Sequence, residues 1–490
     1  MPDTIDAVLR TQARAHRDKD MVADPVSRLS YCELETSTAS LAAGLLDAGI
    51  TKGSRVGLLM PNGTDWVRIA LALTRIGAVL VPLSTLLRPV ELEAHLRMAS
   101  VQFLVAVEEF RGNRYPVPRD RLPALRAVWT AEQALAFTGP RAAADTLTAR
   151  LRESDPLAIM FTSGSSGPPK GTIHSHRSAL GAVRSGLDAR CITAATRLYL
   201  PMPFFWIGGF GAGIISALVA GATLVTEPIP SPSSTLELLR RERVTLFRGW
   251  PVQAEALARH ATATDLPMLQ PGSLEALLPA QLRSRPGARA SLLGMTESFG
   301  PYCGYRADVD MPESAWGSCG KPFPGVEVRI AGDGPVGEIL IRGPHLLRGI
   351  CRRGRDDVFT PDGFYPTGDL GRLDADGFLF HHGRCDDMFK VSGATVYPGE
   401  VRRALLSLPG VRAAHVVNVP EGQANRVGAV VVGAGLEVPT LVSGARTALS
   451  RFKVPTSWLI LTDDDAVPRG ATGKIDNAAL RVMLTEGGRP

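Results

Sequence analysis

The sequence predicts an α/β protein: layered helix–strand units, then a small β unit, then a C-terminal α+β domain. Three observations carry this. Amphipathic helical stretches alternate with short apolar runs over residues 5–83 and again over 222–262, with short connections between them. Between residues 326 and 382 the helical period gives way to short strands separated by Gly and Pro turns. From residue 386 onward, strands and helices resume on a smaller scale, enough for a compact domain of about 100 residues.

Taken in order, residues 5–17 and 31–48 have the spacing of amphipathic helices, and Gly49 ends the second. Val56-Gly57-Leu58-Leu59-Met60 is a buried strand type, followed by the turn Pro61-Asn62-Gly63. A helix is expected over 64–76, stopped by Gly77, with a strand from Ala78 to Leu83. Residues 111–150 have weaker patterning and read as a peripheral excursion. Leu157–Phe161 and Thr172–His174 are short strands, with a helix starting near Ser178. Residues 201–226 carry no charge and are long enough to cross a bilayer. Their glycines and early prolines fit instead a loop (201–207), a buried helix (209–219), a turn at Gly221 and a strand (222–226). A helix over 234–243, a strand Val244–Phe247 and a helix over 252–262 continue the alternation. Val326–Ile330 and Glu338–Arg342 are strands of the small β unit.

Composition excludes several classes. Hydrophobic residues make up 45% and charged residues 21%, as in an ordinary globular enzyme. The net charge of +6 is spread without a basic run or a basic-aromatic stripe, which speaks against nucleic-acid binding and for diffuse attraction of small polyanions. The six cysteines lack CxxC spacing, so neither a zinc site nor a disulfide framework is indicated. Met1–Asp20 has four acidic and four basic residues and no apolar core, unlike a secretory signal. The expected location is the cytoplasm, and monomer and homodimer both stay open.

The chemistry centres on residues 161–171, Phe-Thr-Ser-Gly-Ser-Ser-Gly-Pro-Pro-Lys-Gly. Two glycines and several hydroxyl residues between two strands can turn backbone N–H groups inward as an anion nest, with Lys170 adding a point charge. An ordinary Gly/Ser surface loop is the plain alternative. The nucleotide-binding P-loop pattern does not fit, because two prolines separate Gly167 from Lys170 and a glycine follows the lysine. Only seven of the 54 basic residues are lysines, so each carries more weight in a chain that otherwise uses arginine.

This loop resembles the phosphate loop of the adenylate-forming superfamily, which includes acyl-CoA synthetases, luciferases and peptide-synthetase adenylation domains; the acyl-CoA synthetase branch is the nearest in pattern. Further motifs follow in the family's order over more than 300 residues. Gly294-Met295-Thr296-Glu297 resembles a segment whose threonine touches phosphate and whose glutamate holds Mg²⁺; a helix cap is the plain alternative. Tyr365-Pro366-Thr367-Gly368-Asp369-Leu370-Gly371 matches the family heptad in which the aspartate accepts from both ribose hydroxyls, a task suited to two acceptor oxygens. Gly383-Arg384-Cys385-Asp386 matches a ribose-contacting arginine and an interdomain hinge. Lys390, Ser392 and Gly393 match the loop that lines the pantetheine tunnel of CoA. Pro468–Ile475 resembles the terminal motif whose lysine, Lys474 here, approaches the reacting carboxylate and phosphate.

The resemblance implies a large N-terminal adenylate-forming domain (1–385) binding nucleotide and acyl group, and a mobile C-terminal domain (386–490) turning about Asp386. It implies ATP, Mg²⁺ and CoA, with a carboxylate attacking ATP to give acyl-adenylate and pyrophosphate before the thiol is acylated. With no carrier domain after residue 490, free CoA is the expected acceptor. The implied nucleotide site is Thr162, Ser163, Gly164, Ser165, Ser166, Gly167, Lys170, Gly272, Ser273, Leu293, Gly294, Thr296, Asp369 and Arg384, with Glu297 on the metal. Lys170, Thr296, Glu297 and Lys474 are the implied catalytic residues.

The acyl pocket is assigned to Phe205, Trp206, Gly209, Gly294 and Met295. No aspartate stands there for a substrate ammonium, so the pocket is expected to suit a bulky hydrophobic acid: fatty, terpenoid or polycyclic. The alternative is that Phe204, Phe205 and Trp206 are simply core. The chain departs from the family at the adenine slot. Asp265–Leu274 holds Pro267 and Pro271, poor members of an interior strand, and Leu293 stands where relatives have tyrosine. Loss of an aromatic face is worth about 1–3 kcal/mol in base recognition. Weak ATP binding with a dominant thioester half-reaction is therefore one alternative; a subfamily solution with Leu292 and Leu293 packing adenine is another. An inactive binding protein and a luciferase-type oxygenase are the remaining classes.

Overall fold

In a computed structural model of the chain, the described residues are 3–162, 169–261, 266–285, 287–332, 334, 336–385, 389–396, 398–422, 424–468 and 475–488; the side chains of 251, 252, 383 and 384 are not described. The chain divides into a larger unit (Met1–Thr85, His95–Thr162, Gly171–His382) and a smaller one (Leu86–Ala94, Ser163–Lys170, Gly383–Pro490).

The larger unit is built on two sheets. One runs Gly349–Ile350, Lys170–Ser175, Pro156–Thr162, Val79–Pro82, Arg55–Leu59, Phe103–Ala106, Ala127–Trp129 in spatial order. The other runs Leu246–Phe247, Arg197–Tyr199, Thr223–Val225, Asp20–Ala23, Arg28–Ser30, parallel except for the last strand. Parallel strands covered on both faces need apolar residues at every position, and Val79–Pro82 and Phe103–Ala106 are buried throughout. The core between the layers is aromatic at its centre. The fully buried Trp66 meets Phe204 and Phe210 edge-on, with ring centroids 5.4 and 5.9 Å away.

The expected helices appear as Ile5–His16, Tyr31–Asp47, Thr64–Arg75, Pro232–Arg241 and Pro251–Ala258. The helix placed near Ser178 begins at His176 instead, because Ser175 is its cap and Ser178 closes the capping box from the third position. Strands at 20–23 and 28–30, and the strand Ala127–Trp129 within the weakly patterned 111–150, are additions to the sequence reading. The uncharged stretch folds as a helix Ile207–Ala220 with a π-helical centre at Phe210–Ile215, closed by Gly221 at φ 72°. Among the described residues no helix is long and apolar enough to cross a membrane.

Residues 293–384 form antiparallel ribbons. Leu293–Met295, Gly300–Gly304 and Lys321–Pro322 make one; Glu327–Ala331, Gly337–Arg342, Tyr365–Leu373 and Leu379–Arg384 make the small β unit read from the sequence.

The smaller unit has the expected α+β character. Antiparallel strands Ala413–Glu421 and Ala424–Val432, with Ser457–Leu461 parallel to the second, pack against Pro398–Leu406, Val438–Ala448 and Asn477–Gly487. Within this unit the buried Lys453 ammonium pairs with Glu91 at 3.2 Å and Glu400 at 2.7 Å, and Ser450 Oγ donates to Glu91. A short hairpin, Phe389–Val391 with Ala394–Val396, turns at Ser392 and Gly393, both at positive φ (49° and 81°). That is the pattern of a two-residue turn matched to strand twist.

Candidate active site

Two neighbouring strands flank the stretch expected to hold phosphate: Pro156–Thr162 ends at the half-buried Thr162, and Lys170 opens Lys170–Ser175. Ser163, Gly164, Ser165, Ser166 and Gly167 lie outside the described residues, as do Asp386 and Lys474. Arg384 ends the strand Leu379–Arg384, and its side chain is likewise not described.

The Thr296-Glu297 segment is a tight turn between Leu293–Met295 and Gly300–Gly304, not a helix cap. Ser298 Oγ donates to Gly300 O at 2.7 Å and closes the turn. Gly294 faces its partner strand so closely that an added Cβ would lie 2.5 Å from Gly300 O and Pro301 Cα, so a side chain there would force the ribbon apart. The turn is also held from behind. His174, enclosed in the strand Lys170–Ser175, has its Nε2 2.8 Å from the Thr296 carbonyl. Burial pushes its imidazole down to about 4, so at neutral pH it is uncharged and donates that hydrogen bond from Nε2.

Glu297 is only 5% exposed, and its Oε1 accepts from the Tyr365 phenol at 2.9 Å. Tyr365 opens the heptad that ends in Asp369 and Gly371. The Thr-Glu segment and the Tyr-x-Thr-Gly-Asp segment, 68 residues apart for this pair, are therefore joined by a direct hydrogen bond. Within the heptad, Thr367 Oγ1 donates to Ile339 O at 2.7 Å and accepts from the Asp369 N–H at 3.0 Å. Gly368, at φ 71°, donates its N–H to Glu338 Oε1, where the register against Gly337–Arg342 shifts. The bulge aims the Asp369 carboxylate, whose Oδ1 lies 3.3 Å from His381 Nε2.

The segment in the place of the adenine strand is not a strand. Gln270 N–H donates to Thr245 O and Leu274 N–H to Phe247 O, while the Phe247 N–H donates to the Ser273 hydroxyl at 3.1 Å. Residues 270–274 thus finish the edge of the Leu246–Phe247 strand as a turn, with Gly272 at φ 95°. Leu293 lies half-buried against the β-ribbon core rather than presenting a ring.

Phe204 is fully buried against Trp66 and is core, and its N–H donates to Asn62 Oδ1 at 2.8 Å. Asn62, from the Pro-Asn-Gly turn, also donates to Met202 O, and so fixes the 201–207 loop. Phe205 and Trp206 meet edge to face at 5.4 Å, and Trp206 meets Trp250 at 6.1 Å. Gly209 approaches the Pro203 carbonyl so closely that no side chain fits. Trp250 and Tyr365's link to Glu297 escaped the sequence reading. The Arg-Gly-Trp-Pro run directly after a strand was the signal for Trp250. Lys390, Ser392 and Gly393 form the hairpin of the smaller unit described above.

The family model described as AMP-binding enzyme matches residues 9–351. The chain is 32% identical over 520 residues, covering 98% of it and 99% of the relative, to 3-[(3aS,4S,7aS)-7a-methyl-1,5-dioxo-octahydro-1H-inden-4-yl]propanoyl:CoA ligase of Mycobacterium tuberculosis. It is 31% identical to a feruloyl-CoA synthase of Amycolatopsis sp, over 92% of this chain and 93% of that one. In fold it resembles a double mutant of o-succinylbenzoate CoA synthetase from Bacillus subtilis bound with its product analogue, at TM-score 0.81 and 22% identity over 99% of both chains.

Proposed function

The chain belongs to the AMP-binding enzyme family and is an AMP-forming acid–thiol ligase of the acyl-CoA synthetase kind, and on that premise we propose that it joins a bulky hydrophobic carboxylic acid, polycyclic or aromatic, to CoA. The observation that carries this reading is the Tyr365–Glu297 hydrogen bond, which ties the Thr296-Glu297 turn to the heptad that holds Asp369. The pocket wall of Phe205, Trp206 and Trp250 supports the bulk and apolarity of the acid, as do the ring-bearing acids in the names of the two relatives.

In this reading the substrate carboxylate attacks the α-phosphorus of ATP, forming the acyl-adenylate and expelling pyrophosphate. Lys170, Thr296 and Lys474 face the charge that develops on phosphate oxygens, where fixed donors lower the barrier most. Glu297, with Oε1 engaged by Tyr365, leaves Oε2 for a cation. No group of three or more His, Cys, Asp or Glu side chains that could hold a metal occurs among the described residues. One carboxylate plus substrate phosphates suits Mg²⁺, which keeps much of its water shell and would neutralise phosphate charge. Asp369 holds the ribose hydroxyls, assisted by Arg384. The C-terminal residues 386–490 then turn about Asp386, withdrawing Lys474 and bringing up Lys390, Ser392 and Gly393 for the thiol.

The absence of an aromatic ring at Leu293 favours a second reading, in which ATP is held weakly and the thioester half-reaction dominates. Incubation of a carboxylic-acid panel with ATP and CoA, with mass spectrometry of thioester and AMP, tests the first reading. Calorimetric titration with ATP tests the second: micromolar affinity with brisk pyrophosphate release would eliminate it.

A further inference from the structure

The core of the small β unit ends on a polar pair. Along Tyr365–Leu373, the residues Tyr365, Thr367, Asp369 and Gly371 occupy the buried positions. On the neighbouring strand Leu379–Arg384, Leu379 is fully buried in the same core as Tyr365, Ile339 and Ile341. Side chains two apart on a strand share a face, so His381 follows Leu379 on that side. Its Nε2 lies 3.3 Å from Asp369 Oδ1, and the imidazole is 32% exposed against 9% for the carboxylate. A partly exposed histidine thus reaches back onto an enclosed carboxylate.

The main chain around Asp369 is fixed by its own neighbours. The Asp369 N–H donates to Thr367 Oγ1 at 3.0 Å, Thr367 donates in turn to Ile339 O, and the Gly368 N–H goes to Glu338 Oε1. These bonds set the backbone but not the rotation of the carboxylate about its Cβ–Cγ bond. A carboxylate oxygen has no proton to give, so His381 Nε2 carries one and donates it. That bond selects the plane of the carboxylate. Cys319 lies near the same group. Burial pushes its thiol up and the Asp369 charge adds to this, so at neutral pH the thiol brings no competing negative charge.

Two hydroxyls on adjacent sugar carbons call for two acceptors in one plane, which a carboxylate supplies. Each oxygen has two lone-pair directions, so Oδ1 can receive His381 and a sugar hydroxyl together. A carboxylate free to rotate would have to be ordered in every binding event, and orienting it beforehand removes that cost.

We propose that His381 is a positioning residue for the nucleotide sugar: through Oδ1 it holds the Asp369 carboxylate in plane with a vicinal diol, and so makes the site selective for ribonucleotides over deoxyribonucleotides. The proposal rests on the acyl-CoA ligase reading, with Asp369 as the sugar-binding group, and adds the residue that orients that group. A site built to hydrogen-bond a hydroxyl rejects an analogue lacking it, because its polar atoms are then left unpaired.

The test is calorimetric titration of the full-length enzyme with ATP, 2′-deoxy-ATP and 3′-deoxy-ATP in the presence of Mg²⁺, comparing the wild type with His381→Phe, His381→Gln and Asp369→Ala. His381→Phe keeps a ring and removes the donor, while the glutamine amide can reach the place of Nε2. The wild type should bind ATP about tenfold or more tightly than at least one deoxy analogue. His381→Phe should shrink that ratio about three- to tenfold, mainly by weakening ATP, and His381→Gln should recover part of it. A loss spread equally over the three nucleotides, or a ratio untouched by His381→Phe, overturns the positioning role and leaves the ligase reading intact. If Asp369→Ala leaves the ratio untouched as well, the sugar-binding role of Asp369 falls with it. No binding of ATP to the wild type overturns both the proposal and the ATP-using reading beneath it. Should His381→Phe not fold, His381→Asn, whose amide stops short of Oδ1, is compared with His381→Gln in its place: equal ratios in the two refute the role.

Discussion

Replacing Tyr365 by phenylalanine removes one oxygen and leaves the ring, which is buried among Cys303, Ile339 and Leu379, in place. What is lost is the phenol that donates to Glu297 Oε1 at 2.9 Å, in a site where the glutamate is 5% and the tyrosine 6% exposed. A hydrogen bond to a charged group in such a setting contributes about 1.5–3 kcal/mol, and little water can replace it. The folded enzyme should melt a few degrees lower. More telling is the effect on chemistry. If Glu297 acts on the metal and phosphates, a carboxylate released from its tether must be repositioned in every adenylation transition state. The full loss then appears as an adenylation kcat/KM about ten- to a hundredfold lower. Thioester formation from a supplied acyl-adenylate does not need that carboxylate and should fall much less. Pyrophosphate release with acid and ATP, set beside thioester formation from pre-formed acyl-adenylate and CoA, reads the two separately. Equal losses in both half-reactions, or none in either, would refute the reasoning.

Three further outcomes are expected. Lys474→Ala should cripple adenylation and spare the thioester step from acyl-adenylate, since an ammonium aimed at developing phosphate charge matters only in the first step; parallel rates in the two assays would contradict it. Trp206→Ala should redirect acid selectivity towards larger or differently shaped acids, because it vacates the indole that meets Phe205 and Trp250. An unchanged substrate profile with lower melting would return Trp206 to the core. Burial pushes His174 and His176 down to about 4 from an unfolded value near 6.5. Between those values the unfolded chain binds more protons, so stability should be complete above pH 6.5 and decline as pH falls towards 4, by up to about 1.4 kcal/mol per pH unit for each proton. Denaturant midpoints across this window check it, and a flat profile would show the imidazoles already accessible to protons.

Local signals made much of this legible. The layered helices and strands came from periodicity, because parallel strands covered on both faces admit few polar residues, as at Val79–Pro82. The heptad around Asp369 was readable because Gly368 at positive φ and the Thr367 hydroxyl are demanded by one short bulge. What stayed hidden was set by distant partners. Asp20–Ala23 is short and opens on a charge, and it becomes a strand only through pairing with Thr223–Val225. Phe204 and Phe205 are chemically alike, and only the position of Trp66 shows Phe204 to be packed at the centre of the core. Leu293 could be seen to lack a ring, but not that Ser273 would complete the neighbouring strand's edge in place of a backbone carbonyl.

The π-helical segment at Phe210–Ile215 has a consequence for how this scaffold can change. A helix turns about 100° with each residue, so one residue added or removed ordinarily swings everything beyond it off its buried face. Here the wide turn already absorbs a surplus residue, and it lies between the loop carrying Phe205 and Trp206 and the helical turn that anchors Ala217 and Leu218 in the core. A single-residue deletion within Phe210–Ile215 would restore regular winding and leave both the aromatic loop and the anchored end close to their present orientation. The segment can thereby lose a residue without rebuilding the core behind it, so that its length, and not only its side chains, is open to change.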